Sequence, residues 1–199
     1  GDFTVNSGPW AGARGGSEYW SRSGSFNGTN SYLQNTTNLG VTWGTEVAIH
    51  GCFKLDDIDG AGVTQHIFYQ RNSGFVRGVQ VRFDAAGGLN ITGFSSTGGY
   101  IFDYTGLSST EAGIVQGKFF TLCASFDSST STGVVVINNV DVTSSGALGI
   151  YDTSTNFGAT NNTRIGTNDD VGKVVDGEMA SLYLADDYID FSQETNVHK

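Results

Sequence analysis

Val47-Ala48-Ile49-His50-Gly51-Cys52-Phe53-Lys54-Leu55 is the stretch on which the fold turns. Val47, Ile49, Phe53 and Leu55 fall on one side of an extended chain, and His50, Cys52 and Lys54 on the other. Successive side chains of a strand point to opposite faces, so this run is a β-strand with one face in a core and one face wet. The same period of two returns further along. Val79, Val81 and Phe83 alternate with Gln80, Arg82 and Asp84, and Ala85-Ala86-Gly87-Gly88 then turns the chain into Leu89-Asn90-Ile91-Thr92. Phe120, Leu122, Ala124 and Phe126 share a face. Val134-Val135-Val136-Ile137 meets Val140-Asp141-Val142 across Asn138-Asn139. Asparagine tolerates the positive φ that a two-residue hairpin turn demands.

Around these runs the chain is cut into short pieces. Ser25 to Leu33 reads as a turn leading into a strand, Ile67-Phe68-Tyr69-Gln70 as a short buried strand, and Arg164-Ile165-Gly166 as the start of another. Gly177 to Ala185 supplies the last strand. Twenty-nine glycines and a single proline in 199 residues mark the breaks. Many short strands joined by tight turns describe an all-β sandwich or barrel. Residues 95–116 and 143–163, rich in Gly, Ser and Thr, read as long loops. Residues 1–24 carry Trp10, Tyr19 and Trp20 without alternation and read as an N-terminal edge segment packed on the sandwich. Ser192 reads as the cap of a short terminal helix, with Glu194 in its first turn. Self-similarity at a fixed period is absent from the sequence, which excludes propellers and solenoids.

Composition narrows the function. With 38% hydrophobic and 12% aromatic residues, the chain can bury the core of one domain. Charged residues make up only 15%, against roughly 25% in soluble domains generally. The net charge of −10 removes the basic stripe that a nucleic-acid binder needs, and an anionic membrane surface would repel it. No apolar run is long enough to span a bilayer. The chain opens Gly1-Asp2-Phe3 and reads as a processed piece of a longer protein. Cys52 and Cys123 each stand off the apolar face of their run, and two cysteines make no disulfide framework, so both read as free thiols.

A series of motifs, in order, then resembles one family. Phe26-Asn27-Gly28-Thr29-Asn30-Ser31-Tyr32-Leu33 resembles the opening F-D-G-x-x-D-Y-V of laminin-G-like, concanavalin A-like domains. Val47 to Leu55 is similar to their F-T-I-x-x-W-V-K strand, with Cys52 where tryptophan is usual. Gly117 to Asp127 resembles G-x-W-H-H-V-A-V-T-Y-D with Phe119 in place of tryptophan, and Val136 to Val140 resembles L-Y-V-N-G-V. Thr163-Arg164-Ile165-Gly166 with Asp176-Gly177-Glu178-Met179 is similar to the closing x-R-I-G … F-x-G-x-I, and Phe191-Ser192-Gln193-Glu194 to L-S-x-E. The resemblance covers 25–199 and implies an antiparallel two-sheet concanavalin A-like jelly-roll sandwich over those residues. It also implies the company of glycan-binding modules, adhesion modules and virion appendage domains. Asp187 to Ser192 is similar to the tails of such domains in bacteriophage structural proteins.

Catalytic constellations do not form on this sequence. A glycosidase of this fold needs facing carboxylates in a Glu-x-Asp-x-(x)-Glu pattern, which is missing, and Gly177 between Asp176 and Glu178 reads as a turn. His50, His66 and His198 accompany no Gly-x-Ser-x-Gly elbow and no zinc spacing. Asp56-Asp57-x-Asp59-Gly60 and Asn168-Asp169-Asp170 are oxygen-rich loops suited to calcium, with Asp169 and Asp170 the chosen ligands. Related folds take a calcium ligand from an Asp at the start of the last strand, and the aligned residue here is Ala180. Tyr100, Tyr104 and Tyr151 lie in Gly/Ser-rich segments, where they either stack a sugar or anchor their loops.

The reading that follows is a non-enzymatic recognition module. It is expected outside the cell or on a virion surface, within an oligomer, contacting a glycan or host-surface receptor. The alternative is a structural decoration module whose partners are other proteins of a particle.

Overall fold

The computed structural model describes residues 4–6, 24–35, 44–58, 63–71, 78–95, 99–151, 162–167 and 174–193. These form strands and no helix. In chain order the strands are β1 (Thr4–Asn6), β2 (Gly24–Asn27), β3 (Tyr32–Asn35), β4 (Glu46–Leu55), β5 (Gln65–Arg71), β6 (Gly78–Phe83) and β7 (Gly88–Phe94). They continue with β8 (Tyr100–Ser108), β9 (Phe119–Asp127), β10 (Thr132–Ile137), β11 (Val140–Asp141), β12 (Ala147–Ile150), β13 (Asn162–Ile165) and β14 (Asp176–Ala185). One sheet has eight strands in the order β1-β3-β13-β5-β6-β7-β8-β12, the other six in the order β11-β10-β9-β4-β14-β2. Adjacent strands are antiparallel in both sheets. The chain is an all-β, two-sheet jelly-roll sandwich.

β4 shows why. Val47, Ile49, Phe53 and Leu55 are buried between the sheets, while His50, Cys52 and Lys54 are half-exposed on the outer face. Rings bridge the layers. Phe102 of β8 stacks on Phe126 of β9 at 4.0 Å and 14°, and Phe83 of β6 meets Phe120 of β9 edge-on at 6.1 Å. Offset and edge arrangements of this kind add to the burial of large apolar surface.

The Asn138-Asn139 turn forms as read, with φ of 51° and 65° at the two residues. Other breaks are set by side chains that alternation does not reveal. Asp84 closes the β6–β7 hairpin by accepting from the amides of Ala86 and Gly88, both at 2.9 Å. Asn27 Oδ1 accepts from the amides of Thr29, Asn30 and Ser31, which carries the chain from β2 in one sheet to β3 in the other.

Several expectations are corrected. The stretch 95–116 is not a loop but contains the nine residues of β8. Ile101 and Phe102 are adjacent and both buried, and that breaks the period of two. Within 143–163, Ala147–Ile150 is the edge strand β12. Gly177 is no turn, since it lies inside β14 against the Lys54 carbonyl, where a Cβ would collide. β13 ends at Ile165 instead of starting there. After β14, Asp190 accepts from the Ser192 amide at 3.0 Å and hydroxyl at 2.5 Å. Glu194 and the expected helix lie outside the described residues, as do residues 7–23 of the N-terminal segment.

Candidate ligand platform

The last residue of β7, Phe94, pairs with the first of β8, Tyr100, after a register shift at Gly93. The turn is closed by the Ser95 amide donating to the Gly99 carbonyl at 2.8 Å. The two rings lie 5.3 Å apart at 37°. Beyond β8, edge strand β12 ends at Ile150, and the next amide, that of Tyr151, donates to the Ile101 carbonyl at 2.8 Å. That bond fixes where the Tyr151 side chain leaves the sheet.

The Tyr151 ring turns back over Gly149, and a Cβ there would overlap its hydroxyl and Cζ. The Tyr151 hydroxyl donates to Asp103 Oδ1 at 2.9 Å. Asp103 stands on β8 directly between Thr92 of β7 and Gly149 of β12. Its hydrogen bond raises the Tyr151 phenol pKa above its ordinary value, so the hydroxyl remains a donor at neutral pH. Tyr151 and Tyr100 approach to 6.3 Å at 44°. Tyr100 is 52% exposed and Tyr151 62%. A folded protein seldom spends two large rings on solvent side by side, so this strip of Phe94, Tyr100 and Tyr151 with one carboxylate is the candidate site.

Two of the three expected tyrosines are thus brought together. The third is not: Tyr104 is 0% exposed, with its hydroxyl donating to the Val142 carbonyl at 2.5 Å. It anchors the core, and the ligand-binding expectation for Tyr104 gives way to that role. Phe94, Asp103 and Gly149 were not anticipated. The available signal was the glycine two residues before Tyr151, which leaves room for a ring to fold back.

Asp169, Asp170 and Asp59 lie outside the described residues. Among the described residues no three His, Cys, Asp or Glu converge on a metal position. Asp56 instead lies 3.4 Å from Lys54 Nζ, and Asp57 accepts from Gln65 Nε2 through its carbonyl. Ala180 sits at the bulge of β14 and offers no carboxylate.

Glu178 Oε1 is held by Lys54 Nζ at 2.5 Å, which leaves it paired to a cation instead of facing Asp176 across a cleft. His66 is buried edge-on against Tyr69 at 5.6 Å, and His50 lies 6.3 Å from Phe191 with its pKa lowered by burial. Cys52 and Cys123 are both free thiols.

Two antiparallel sheets in this strand order make a jelly-roll sandwich, and known structures agree in fold. No protein-family model and no curated protein matches the sequence. Solved structures do match in fold. The receptor-binding domain of botulinum neurotoxin C/D mosaic serotype superposes with a TM-score of 0.70 at 8% identity, over 99% of this chain and 45% of that one. Domains LG4-5 of mouse laminin alpha1 give 0.62 at 9%, over 93% and 48%. The heptameric SAP-like pentraxin of Limulus polyphemus gives 0.58 at 16%, over 85% and 77%. The chain spans less than half the length of the toxin and laminin chains. At such identities the likeness shows a shared fold.

Proposed function

We propose that this chain is a non-enzymatic recognition module, displayed outside the cell or on a virion, whose Phe94–Tyr100–Tyr151 strip binds a glycan. The observation that carries this reading is the pair of exposed tyrosines, one of them locked over Gly149 by Asp103. Aromatic faces stack on the C–H faces of sugar rings, and a neighbouring carboxylate accepts from sugar hydroxyls. The rings stand at the ends of strands, so little order is lost on binding. A structural neighbour titled a receptor-binding domain, and another solved in complex with rat synaptotagmin II, support recognition as the working class. One platform of this size binds weakly, and display in several copies within an oligomer raises its avidity.

The test is a glycan array, with and without calcium, on the wild-type chain, Tyr100→Ala and Tyr151→Ala. Each substitution is expected to weaken binding about tenfold or more, the loss of one aromatic anchor. No reducing ends should be released from any bound glycan. Binding that survives both substitutions sinks the reading, and capture of a particle protein in their presence favours the assembly role.

A further inference from the structure

We propose that the platform selects neutral, hydroxyl-rich sugars and rejects those bearing carboxylate or sulfate, an inference that rests on the glycan-binding reading above. Its basis is the balance of donors and acceptors around the rings. Tyr151 commits its only O–H to Asp103 Oδ1, which leaves the phenol oxygen as an acceptor toward any ligand. Asp103 Oδ2 takes no hydrogen bond from the described residues and is an acceptor as well. Asp103 and the Tyr151 oxygen are therefore acceptors, the Tyr100 hydroxyl can donate as well as accept, and a ligand has to supply most of the donors. Sugar hydroxyls do so, while a carboxylate or a sulfate brings only further acceptors.

Charge acts in the same direction. Asp103 is the charged side chain that touches the rings, and its field is felt by the Tyr151 phenol. Across the outer face of the sheet its row continues through Thr92 of β7 and Gln80 of β6, both uncharged. Arg82 stands on β6 two residues beyond Gln80, opposite Asn90, and its charge acts on Asp84. Two strand spacings set its backbone roughly 10 Å from β8, and among the described residues it makes no ion pair with Asp103. No described cation therefore offsets Asp103, and the net charge of −10 repels anions at longer range.

The experiment compares neutral hexose oligosaccharides with their uronate- and sulfate-bearing counterparts by array and calorimetry, using wild type, Asp103→Asn and the Tyr100→Ala/Tyr151→Ala pair. The expected result is binding of the neutral set alone, lost in the tyrosine pair and insensitive to salt. Asp103→Asn should weaken neutral ligands about tenfold, the loss of a charged acceptor, and should admit acidic ones. If acidic ligands bind wild type as well or better, in a tyrosine-dependent way, the selection is overturned while the platform stands. Unchanged neutral affinity in Asp103→Asn overturns it too. Absence of binding by both sets, or binding indifferent to the tyrosines, overturns platform and selection together.

Discussion

At the scale of single residues, what is absent from a side chain matters as much as what is present. Gly149 leaves the space that the Tyr151 ring occupies. Gly149→Ala should push the ring away from Asp103 at little cost, because the displaced group is the far end of an exposed side chain. The expected outcome is a melting temperature within a few degrees of wild type, about 1 kcal/mol or less, together with loss of glycan binding. Paired thermal-shift and array measurements check both. Gln70 presents the opposite case. It is 2% exposed, stands opposite Thr163 on the core side of the eight-stranded sheet, and neither amide atom has a partner. Burying an unpaired amide costs on the order of 1–3 kcal/mol. Gln70→Met, similar in length and apolar, should thus unfold in urea no earlier than wild type. A midpoint lowered by more than about 1 kcal/mol would show that the amide has a bound partner, such as an ordered water.

At the scale of elements, part of the outer face of the six-stranded sheet is covered as well as its inner face. Its outer side carries Ala48, Cys123, Val134 and Val136, over which the segment after β14 lays Tyr188, Ile189 and Phe191. The Ile189 amide donates to Ser125 Oγ at 3.0 Å, and that hydroxyl donates in turn to the Val47 carbonyl at 3.0 Å. The segment is a strap, held by one buried ring and a short chain of hydrogen bonds. Phe191→Ala should cost about 3 kcal/mol by removal of a buried aromatic side chain. It should also open the strap locally before the sandwich unfolds. Cys123, buried beneath it, is the reporter. Its thiol should react with a maleimide far faster in the variant than in wild type, with the half-exposed Cys52 as the internal standard. Equal Cys123 rates in the two proteins would show that the strap does not cover it.

At the scale of the molecule, stability at high pH follows from the packing of two buried acids. Burial pushes the Tyr104 phenol from 10.0 up to about 12, and the Cys123 thiol from 9.0 up to about 11. Both groups are neutral in the fold, while the unfolded chain ionises them at their ordinary values. Their contribution is therefore complete below pH 9 and lost as pH rises through about 11 and 12. The urea midpoint should be level from neutral pH to about 9 and then fall. Tyr104→Phe combined with Cys123→Ala should flatten that alkaline fall, while lowering stability at neutral pH through the lost hydrogen bond to the Val142 carbonyl, which keeps the Ser145 amide as its other donor, and through the lost sulfur. An identical alkaline fall in the double variant would assign it to other groups.

What the sequence determined by itself is the local part of this structure. The alternation at 47–55, 79–83 and 120–126 placed three strands, their faces and a share of the core, because a strand's two faces are set by the backbone period. The Asn-Asn turn was equally local. Two of the three tyrosines singled out as ligand contacts, Tyr100 and Tyr151, do lie on the surface, since their Gly/Ser-rich settings mark strand ends. Only the tertiary structure decided which tyrosines meet. Tyr104 lies four residues after Tyr100, on the same face by simple alternation, yet the register shift between Tyr100 and Phe102 and the packing of β8 between β7 and β12 send it under Val142 and leave Tyr100 in water. Asp103 became a site residue because β12, more than forty residues on, lays Gly149 and Tyr151 against it. Periodicity encodes the direction of a side chain relative to its own strand. Which strand lies alongside, and what that strand carries, is settled by the packing of the whole sandwich.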